Sequence, residues 1–281
     1  MTAVAAVEPD TGPLTLVTPR VRLPRTRSRG LAITLRALGP LAILAGWWIA
    51  SATGVLTPDL LASPPEVWRA AEKLWDSGQL SDAITVSLGR AGTGLFFGVT
   101  AGLTLGVITG SWRLGEDLLD SAVQTLRALP FLSLVPLFMV WFGIGESARV
   151  ILIAVATSFP MYVSTFGAVR TSDPKLLEAA RVFGLGRFTT IRTVILPGAL
   201  PALLSGLRLS TTLSVIALIA AEEINSLAGL GYLMAQAQNF SRTDILSVVI
   251  LIYGLLGLLA DAVIRVLERL LMPWRTAGGT R

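Results

Sequence analysis

The sequence predicts an all-helical integral membrane protein with six transmembrane helices, and three observations predict it. Apolar residues make up 53% of the 281 positions and charged residues only 15%, whereas soluble domains carry about 25% charged residues. Six segments approach the roughly 20 apolar residues that a helix needs to cross a hydrocarbon core about 30 Å thick. The lysines and arginines then sort to one side of those segments. Cysteine and histidine are both absent. Their absence removes disulfides, a thiolate nucleophile, the commonest general base and the usual zinc ligands. No catalytic, cofactor or metal site is expected in this chain.

The expected spans lie near Ala37–Ala52, Ala91–Thr109, Val123–Phe142, Val150–Val169, Pro201–Ala221 and Ile245–Ala260, the last running on into a charged amphipathic tail. Ahead of the first span, residues 1–36 are rich in Pro, Thr and Arg and lack the apolar run of a cleaved signal peptide. They read as a cytoplasmic tail without regular structure. Residues 37–83 read as the first span and an outer loop, 84–268 as a core of five further spans, and 269–281 as a second cytoplasmic tail. With that assignment, sixteen cations fall on one side, from Arg20 through Arg192 to Arg281. The other side holds only Arg69, Lys73, Arg149 and Arg242. Positive charge collects on the cytoplasmic side of short loops, so both termini are expected there.

Within the spans, Gly94, Gly98, Gly102, Gly106 and Gly110 recur every four residues. Between helices in lipid, such small residues mark a face where backbones approach closely. A role in helix sliding is compatible with the same pattern. Pro130 and Pro136 interrupt the third span and Pro160 the fourth. A proline removes a helix hydrogen bond, which membranes tolerate where neighbours or a water-lined cavity satisfy the freed carbonyl. Arg90, Arg127 and Arg208 lie in or near spans, where an isolated cation costs roughly 2.5–3.5 kcal/mol. Two roles fit them: steering an anionic solute along the pathway, or snorkelling and pairing with carboxylates such as Glu222. Asp261 and Arg265, four apart on the last helix, are spaced for a local pair.

The most informative segment is Asp173-Pro174-Lys175-Leu176-Leu177-Glu178-Ala179-Ala180-Arg181-Val182-Phe183-Gly184. Asp173 is a good N-cap, Pro174 suits the first helical position, and Gly184 suits the position after the helix end. Leu176, Ala179, Ala180 and Phe183 share one face of this short amphipathic helix. A second helical stretch follows, and Leu196-Pro197 is expected to stop it before the fifth span.

Glu178-Ala179-Ala180, then Gly184, then Leu196-Pro197, between spans four and five, resembles the EAA signature of binding-protein-dependent ABC importer permeases. Val194 stands where that family usually has Ile. The resemblance extends from about Pro58 to Trp274 and is strongest to the aliphatic sulfonate, taurine and nitrate permease branch. It is carried there by Ser63-Pro64-Pro65-Glu66-Val67-Trp68, Ser87-Leu88-Gly89-Arg90, Trp141-Phe142-Gly143-Ile144-Gly145, Ala221-Glu222 and Gly229-Leu230-Gly231. The resemblance implies a MetI-like fold of type I ABC importers and a coupling helix at 173–184 that docks on an ATPase. It further implies two ATPase subunits that bind ATP and Mg, a second permease copy, and an extracytoplasmic solute-binding protein. The region after Glu222 would help close the outer mouth, although an interfacial segment reads equally well from the residues. The expected function is transport of a small anionic solute across the bacterial inner membrane.

An independent observation agrees with a separate motor. The only lysines, Lys73 and Lys175, are each followed by leucine, so the Gly-Lys-Ser/Thr of a phosphate-cradling loop is missing. The competing reading is a secondary transporter or channel working alone, for which internal inverted repeats are the usual sign. No such repeat is evident between the halves.

Overall fold

A computed structural model describes residues 29–111, 121–128, 130–224 and 226–272, all its regular structure being helical. The chain divides into two units, Met1–Gly46 and Trp47–Arg281. Helix α1 (Arg29–Ala52) begins in the first and continues into the second. It starts ahead of the expected Ala37, because Leu31 to Leu38 contains neither proline nor glycine to break it. The expected tail is therefore helical from Arg29, and residues 1–28 lie outside the described residues.

In the second unit, Trp47 Nε1 donates to Ala62 O at 3.2 Å. Helix α2 (Pro64–Asp76) follows, inside the stretch expected to be an outer loop. Its start is specified by a capping arrangement: the Ser63 N–H and Oγ donate to Glu66 Oε2 at 2.8 and 2.7 Å. Val67, Ala70 and Leu74 face the core while Trp68 and Trp75 point outward, the amphipathic pattern of an interfacial helix. The Ser63 hydroxyl, and then its backbone N–H, hold the Glu66 carboxyl below the usual carboxylate range. A depressed folded pKa stabilises above the unfolded value and loses that contribution as pH falls through the folded one. Amide-exchange protection of α2 is therefore expected to weaken on acidification to below the ordinary carboxylate pKa. Glu66→Gln should be less protected at neutral pH and flat across the same range.

Helix α3 (Gln79–Ser111) begins inside the outer loop, so the boundary expected at 83/84 falls within it. Its glycine stripe meets α6 (Glu146–Arg170). A methyl at Gly94 would stand 2.6 Å from Ile153 Cβ, at Gly106 2.6 Å from Thr165 Cβ, and at Gly110 2.8 Å from Val169 Cβ. At Gly98 it would strike Thr157 Oγ1 and the Ala154 carbonyl. Partner residues advance by four as the glycines do, so α3 and α6 run parallel in one register. The chain must therefore return to its starting end between Ser111 and Glu146.

That return is made in two pieces, α4 (Ser121–Ala128) and α5 (Phe131–Phe142), with Pro130 as the N-cap of the second. Eight and twelve residues rise about 12 and 18 Å, together the thickness of a hydrocarbon core. The expected third span is thus broken at Pro130 rather than merely kinked, while Pro136 is accommodated inside α5.

Beyond α7 (Pro174–Val182), helix α8 (Arg187–Thr190) passes through a π turn at Ile191–Ile195 into α9 (Leu196–Glu223). Leu196-Pro197 therefore does not stop the helix. Proline lacks an N–H and crowds the carbonyl four residues back; the wider π turn, with Leu196 N–H donating to Ile191 O, makes room for that ring. The rod α8–α9 runs antiparallel to α6: Gly206 abuts Ser164, and Ser210 Oγ donates to Thr157 O at 2.7 Å. Helix α10 (Leu230–Asn239) caps one end, and α11 (Thr243–Leu271) returns antiparallel to α9. It carries helical structure past 269, where a tail was expected; residues 273–281 lie outside the described residues.

Among the described residues four helices are long and apolar enough to cross a membrane: Gln79–Ser111, Glu146–Arg170, Arg187–Glu223 and Thr243–Leu271. Leu38–Ala52 and Ser133–Phe142 are shorter apolar helices. The main core joins α2, α3, α6, α9, α10 and α11 at the end where α3 begins.

Candidate functional site

Three features stand out at different heights along the bundle. At the end where α6 finishes and α8 starts, α7 is specified by its sequence at both termini. Asp173 Oδ1 accepts from the Lys175 N–H at 2.9 Å. At the other terminus Gly184 adopts φ +69°, and the Gly184 and Leu185 N–H groups donate to Arg181 O and Ala180 O at 3.0 and 2.9 Å. Both bonds belong to the Schellman pattern, which favours glycine at that position. Only Ala180 is fully buried and Leu177 half-buried. Leu176, Ala179 and Phe183, which share one face of the helix with Ala180, are exposed. Val182 at 85%, Phe183 at 80% and Phe188 at 77% exposure give this end of the chain an uncovered apolar surface. The helix rests against the π turn that leads into Leu196-Pro197.

At the opposite end lies a buried ionic hub. Arg90 stands eleven residues into α3, about 16 Å along its axis. Its Nη1 donates to Glu222 Oε1 at 2.7 Å and to Ala228 O at 2.7 Å. Its Nε donates to Glu146 Oε2 at 2.6 Å, and Nη2 reaches the other Glu146 oxygen. Glu222, 0% exposed, accepts further from Ser87 Oγ at 2.8 Å, the Gly231 N–H at 2.9 Å and Tyr253 Oη at 3.2 Å. Ser87 Oγ in turn accepts the Leu230 N–H at 2.9 Å. Two glycines are required by this geometry. Gly229 has φ +102°, and a methyl there would stand 2.8 Å from Arg90 Nη1. A methyl at Gly231 would press to 2.9 Å on the Glu222 backbone carbonyl carbon. Buried charge is tolerated only when paired and hydrogen-bonded, and here both conditions are met.

Between these ends, α4, α5, α6 and α9 line an apolar cavity of about 310 Å³ that includes Leu126, Leu134, Phe159, Pro160 and Leu213.

Residues 98–272 match the family described as the binding-protein-dependent transport system inner membrane component. The chain belongs to that family. As such a membrane transport component, this permease is 43% identical to the protein named aliphatic sulfonates transport permease SsuC of Escherichia coli strain K12, over 85% of this chain and 90% of that protein. It is 37% identical to the Bacillus subtilis strain 168 protein of the same name, over 85% and 86%. Identity to the taurine transport system permease TauC of E. coli K12 is 31%, over 85% and 89%. In fold it is similar to a chain of the inward-facing MetNI methionine ABC transporter, with TM-score 0.55 and 22% identity, covering 73% of this chain and 98% of that one. A chain of an amino acid ABC transporter crystallised with histidines gives TM-score 0.56 and 20% identity over 71% and 97%.

The permease's sequence-predicted site residues thus separate into distinct places. Asp173 to Gly184 and Leu196-Pro197 gather at one end. Arg90 and Glu222 meet directly at the other. Pro160 lines the apolar cavity, while Pro130 and Pro136 are exposed on the broken span. Arg208 joins neither group; its Nη2 donates to Glu268 Oε2 at 2.8 Å and Asp261 Oδ1 stands 3.6 Å from its Nε. Asp261 also pairs with Arg265 at 2.8 Å. The Arg127 side chain lies outside the described residues. Sequence reading overlooked Glu146, Ser87 and Tyr253. The available signal was positional: Ser87 and Arg90 are three apart on one helical face, and Glu146 opens a span directly after a Gly-Ile-Gly turn.

Proposed function

We propose that this chain is the membrane-spanning permease subunit of an ATP-driven importer that moves a small anionic solute of the aliphatic sulfonate, taurine or nitrate class into the cytoplasm. The observation that carries the reading is α7: a doubly capped helix that buries almost nothing of itself and turns Leu176, Val182 and Phe183 outward at the arginine-rich end. An exposed apolar patch of this kind marks a protein interface. A separate ATPase subunit, binding ATP and Mg, is the partner that fits, because this chain has no phosphate-cradling loop of its own.

In this reading there are six spans. Leu38–Ala52 forms the first and the broken pair α4–α5 the third, and both termini are cytoplasmic. Two permease copies, two ATPases and an extracytoplasmic solute-binding protein complete the importer; nucleic acid has no part in it. The chain itself catalyses nothing. ATPase closure displaces α7 and the π turn beneath it, and the continuous rod from Arg187 to Glu223 carries that motion to the hub. Arg90 and Glu222 then hold the outer end closed, and the cavity at Pro160 belongs to the pathway. The sulfonate and taurine assignments are supported by the SsuC and TauC relatives, the nitrate alternative by the shared branch motifs.

Two experiments test this. Phe183→Asp is expected to leave membrane insertion intact but to weaken ATPase co-purification on the order of 30-fold, the effect of losing an aromatic anchor worth about 2 kcal/mol. Undiminished co-purification and uptake in that variant would exclude α7 as the coupling element. Uptake of labelled taurine, an alkanesulfonate and nitrate should be restored to a deletion strain only with the ATPase present. Restoration without it would point to a transporter working alone.

A further inference from the structure

The rod that runs from α8 into α9 is not uniform along its length. Pro197 and Pro201 carry no N–H, so two rungs of the backbone ladder are missing directly after the π turn at Ile191–Ile195. Beyond Pro201 no further proline interrupts α9 up to Glu223, and Ala217, Leu218 and Ala221 are packed into the core. Helices bend at prolines and at π turns. Flexure of the rod is therefore concentrated between Ile191 and Pro201.

Helix α7 is lightly held beside that segment. It is joined to α6 through Ser172-Asp173 and to α8 through Gly184-Leu185-Gly186, and a methyl placed on Gly184 or Gly186 would meet no atom within 4 Å. Its only fully buried residue is Ala180. Although α7 touches the π turn, a cleft of about 320 Å³ separates the two elsewhere. Ser172 and Leu176 line the cleft on one wall, and Val194, Ile195, Gly198 and Pro201 on the other. Protein interiors are close-packed and interlock, so a space of this size between two elements lets one move against the other. Nothing on the walls marks it for a ligand. Asp173 is the one charged residue there, and its Oδ1 already accepts the Lys175 N–H.

We infer that this cleft is the clearance for a stroke of α7. Pressed on its exposed face, α7 tips on its two joints toward Gly198 and the cleft closes. The π turn bends, and α9 beyond Pro201 moves as one piece. The inference rests on the proposed docking of an ATPase on α7 and adds that docking and stroke use different residues: Val182 and Phe183 face outward and take no part in lining the cleft.

Gly198 allows the two to be separated, because a methyl on it would meet nothing within 4 Å while its position faces the cleft. MgATP hydrolysis by the purified permease–ATPase complex in lipid nanodiscs reads the stroke, and co-purification reads the docking. Gly198→Leu is expected to keep co-purification and thermal unfolding unchanged but to slow hydrolysis about tenfold, the usual size of an overpacking penalty read as a rate. Gly198→Ala, which stiffens the chain but leaves the cleft open, should hydrolyse as the parent does. A second measurement does not depend on how Gly198→Leu folds. The chain has no cysteine, so Ser172→Cys with Gly198→Cys can be bridged across the cleft by a short reducible cross-linker. Hydrolysis should stop on bridging and return on reduction, with neither single variant affected. Parent-like hydrolysis in both Gly198→Leu and the bridged complex overturns the clearance. So does equal loss in Gly198→Ala, which would assign the effect to backbone freedom, or a fall in co-purification of Gly198→Leu, which would mean that the partner itself fills the cleft. Failure of the unaltered permease to co-purify with any ATPase would instead overturn the docking on which the stroke depends.

Discussion

Glu222→Leu is expected to be among the most damaging single substitutions in the chain, because it strands a buried guanidinium. Removing one partner of a buried ion pair costs about 3–5 kcal/mol. Here the Ser87 and Tyr253 hydroxyls and the Gly231 N–H also lose their acceptor. Arg90 keeps Glu146, yet that carboxylate is 64% exposed and can replace only part of the loss. The variant should show a large fall in apparent melting temperature in detergent and poor accumulation in membranes. The double variant Arg90→Met with Glu222→Leu should recover most of the loss, since it removes the stranded charge. Glu146→Gln should cost no more than about 1 kcal/mol, as expected for an exposed pair. Equal damage from Glu146→Gln and Glu222→Leu, or strict additivity in the double variant, would contradict the hub as described.

Gly98→Ala is expected to separate the two longest-packed helices, whereas Gly92→Ala, six residues earlier on the same helix, should do the opposite. A methyl at Gly98 meets the Thr157 hydroxyl and the Ala154 backbone carbonyl, and backbone cannot rotate away. Overpacking of this kind costs about 1–3 kcal/mol, and Gly98→Leu should fail to yield folded protein. At Gly92 a methyl meets nothing within 4 Å, so alanine should stabilise by about 0.5–1 kcal/mol through helix propensity. Thermal unfolding of the two alanine variants side by side reads the contrast. Similar shifts in both would mean that the glycine stripe is not the α3–α6 contact.

The two substitutions separate what was legible in sequence from what was not. Gly98 could be picked out in advance, because a four-residue period on an apolar span already implies a packing face. The importance of Glu222 could not. Ser87-Leu88-Gly89-Arg90, Ala221-Glu222 and Gly229-Leu230-Gly231 were recognisable one by one, but nothing in their spacing states that they meet around one carboxylate. Leu196-Pro197 teaches the reverse: a local rule predicted a helix end, and a π turn absorbed the proline where α6 packs against Leu196 and Ala199.

The sequence by itself determined the solvent, the four long apolar helices and the caps of α7. Apolar composition dictates a membrane, and Asp173, Pro174 and Gly184 act through hydrogen bonds within a few residues of themselves. The arginine-rich side follows from charge alone. Only the tertiary structure decided that the third apolar segment breaks at Pro130, that Phe183 faces outward, and that Arg90 belongs to Glu222 while Arg208 pairs with Glu268 and Asp261. The physical reason is range. Caps and helix breaks of the ordinary kind are set by neighbours in the chain, whereas a buried charge is tolerated only by partners that the fold brings from more than a hundred residues away.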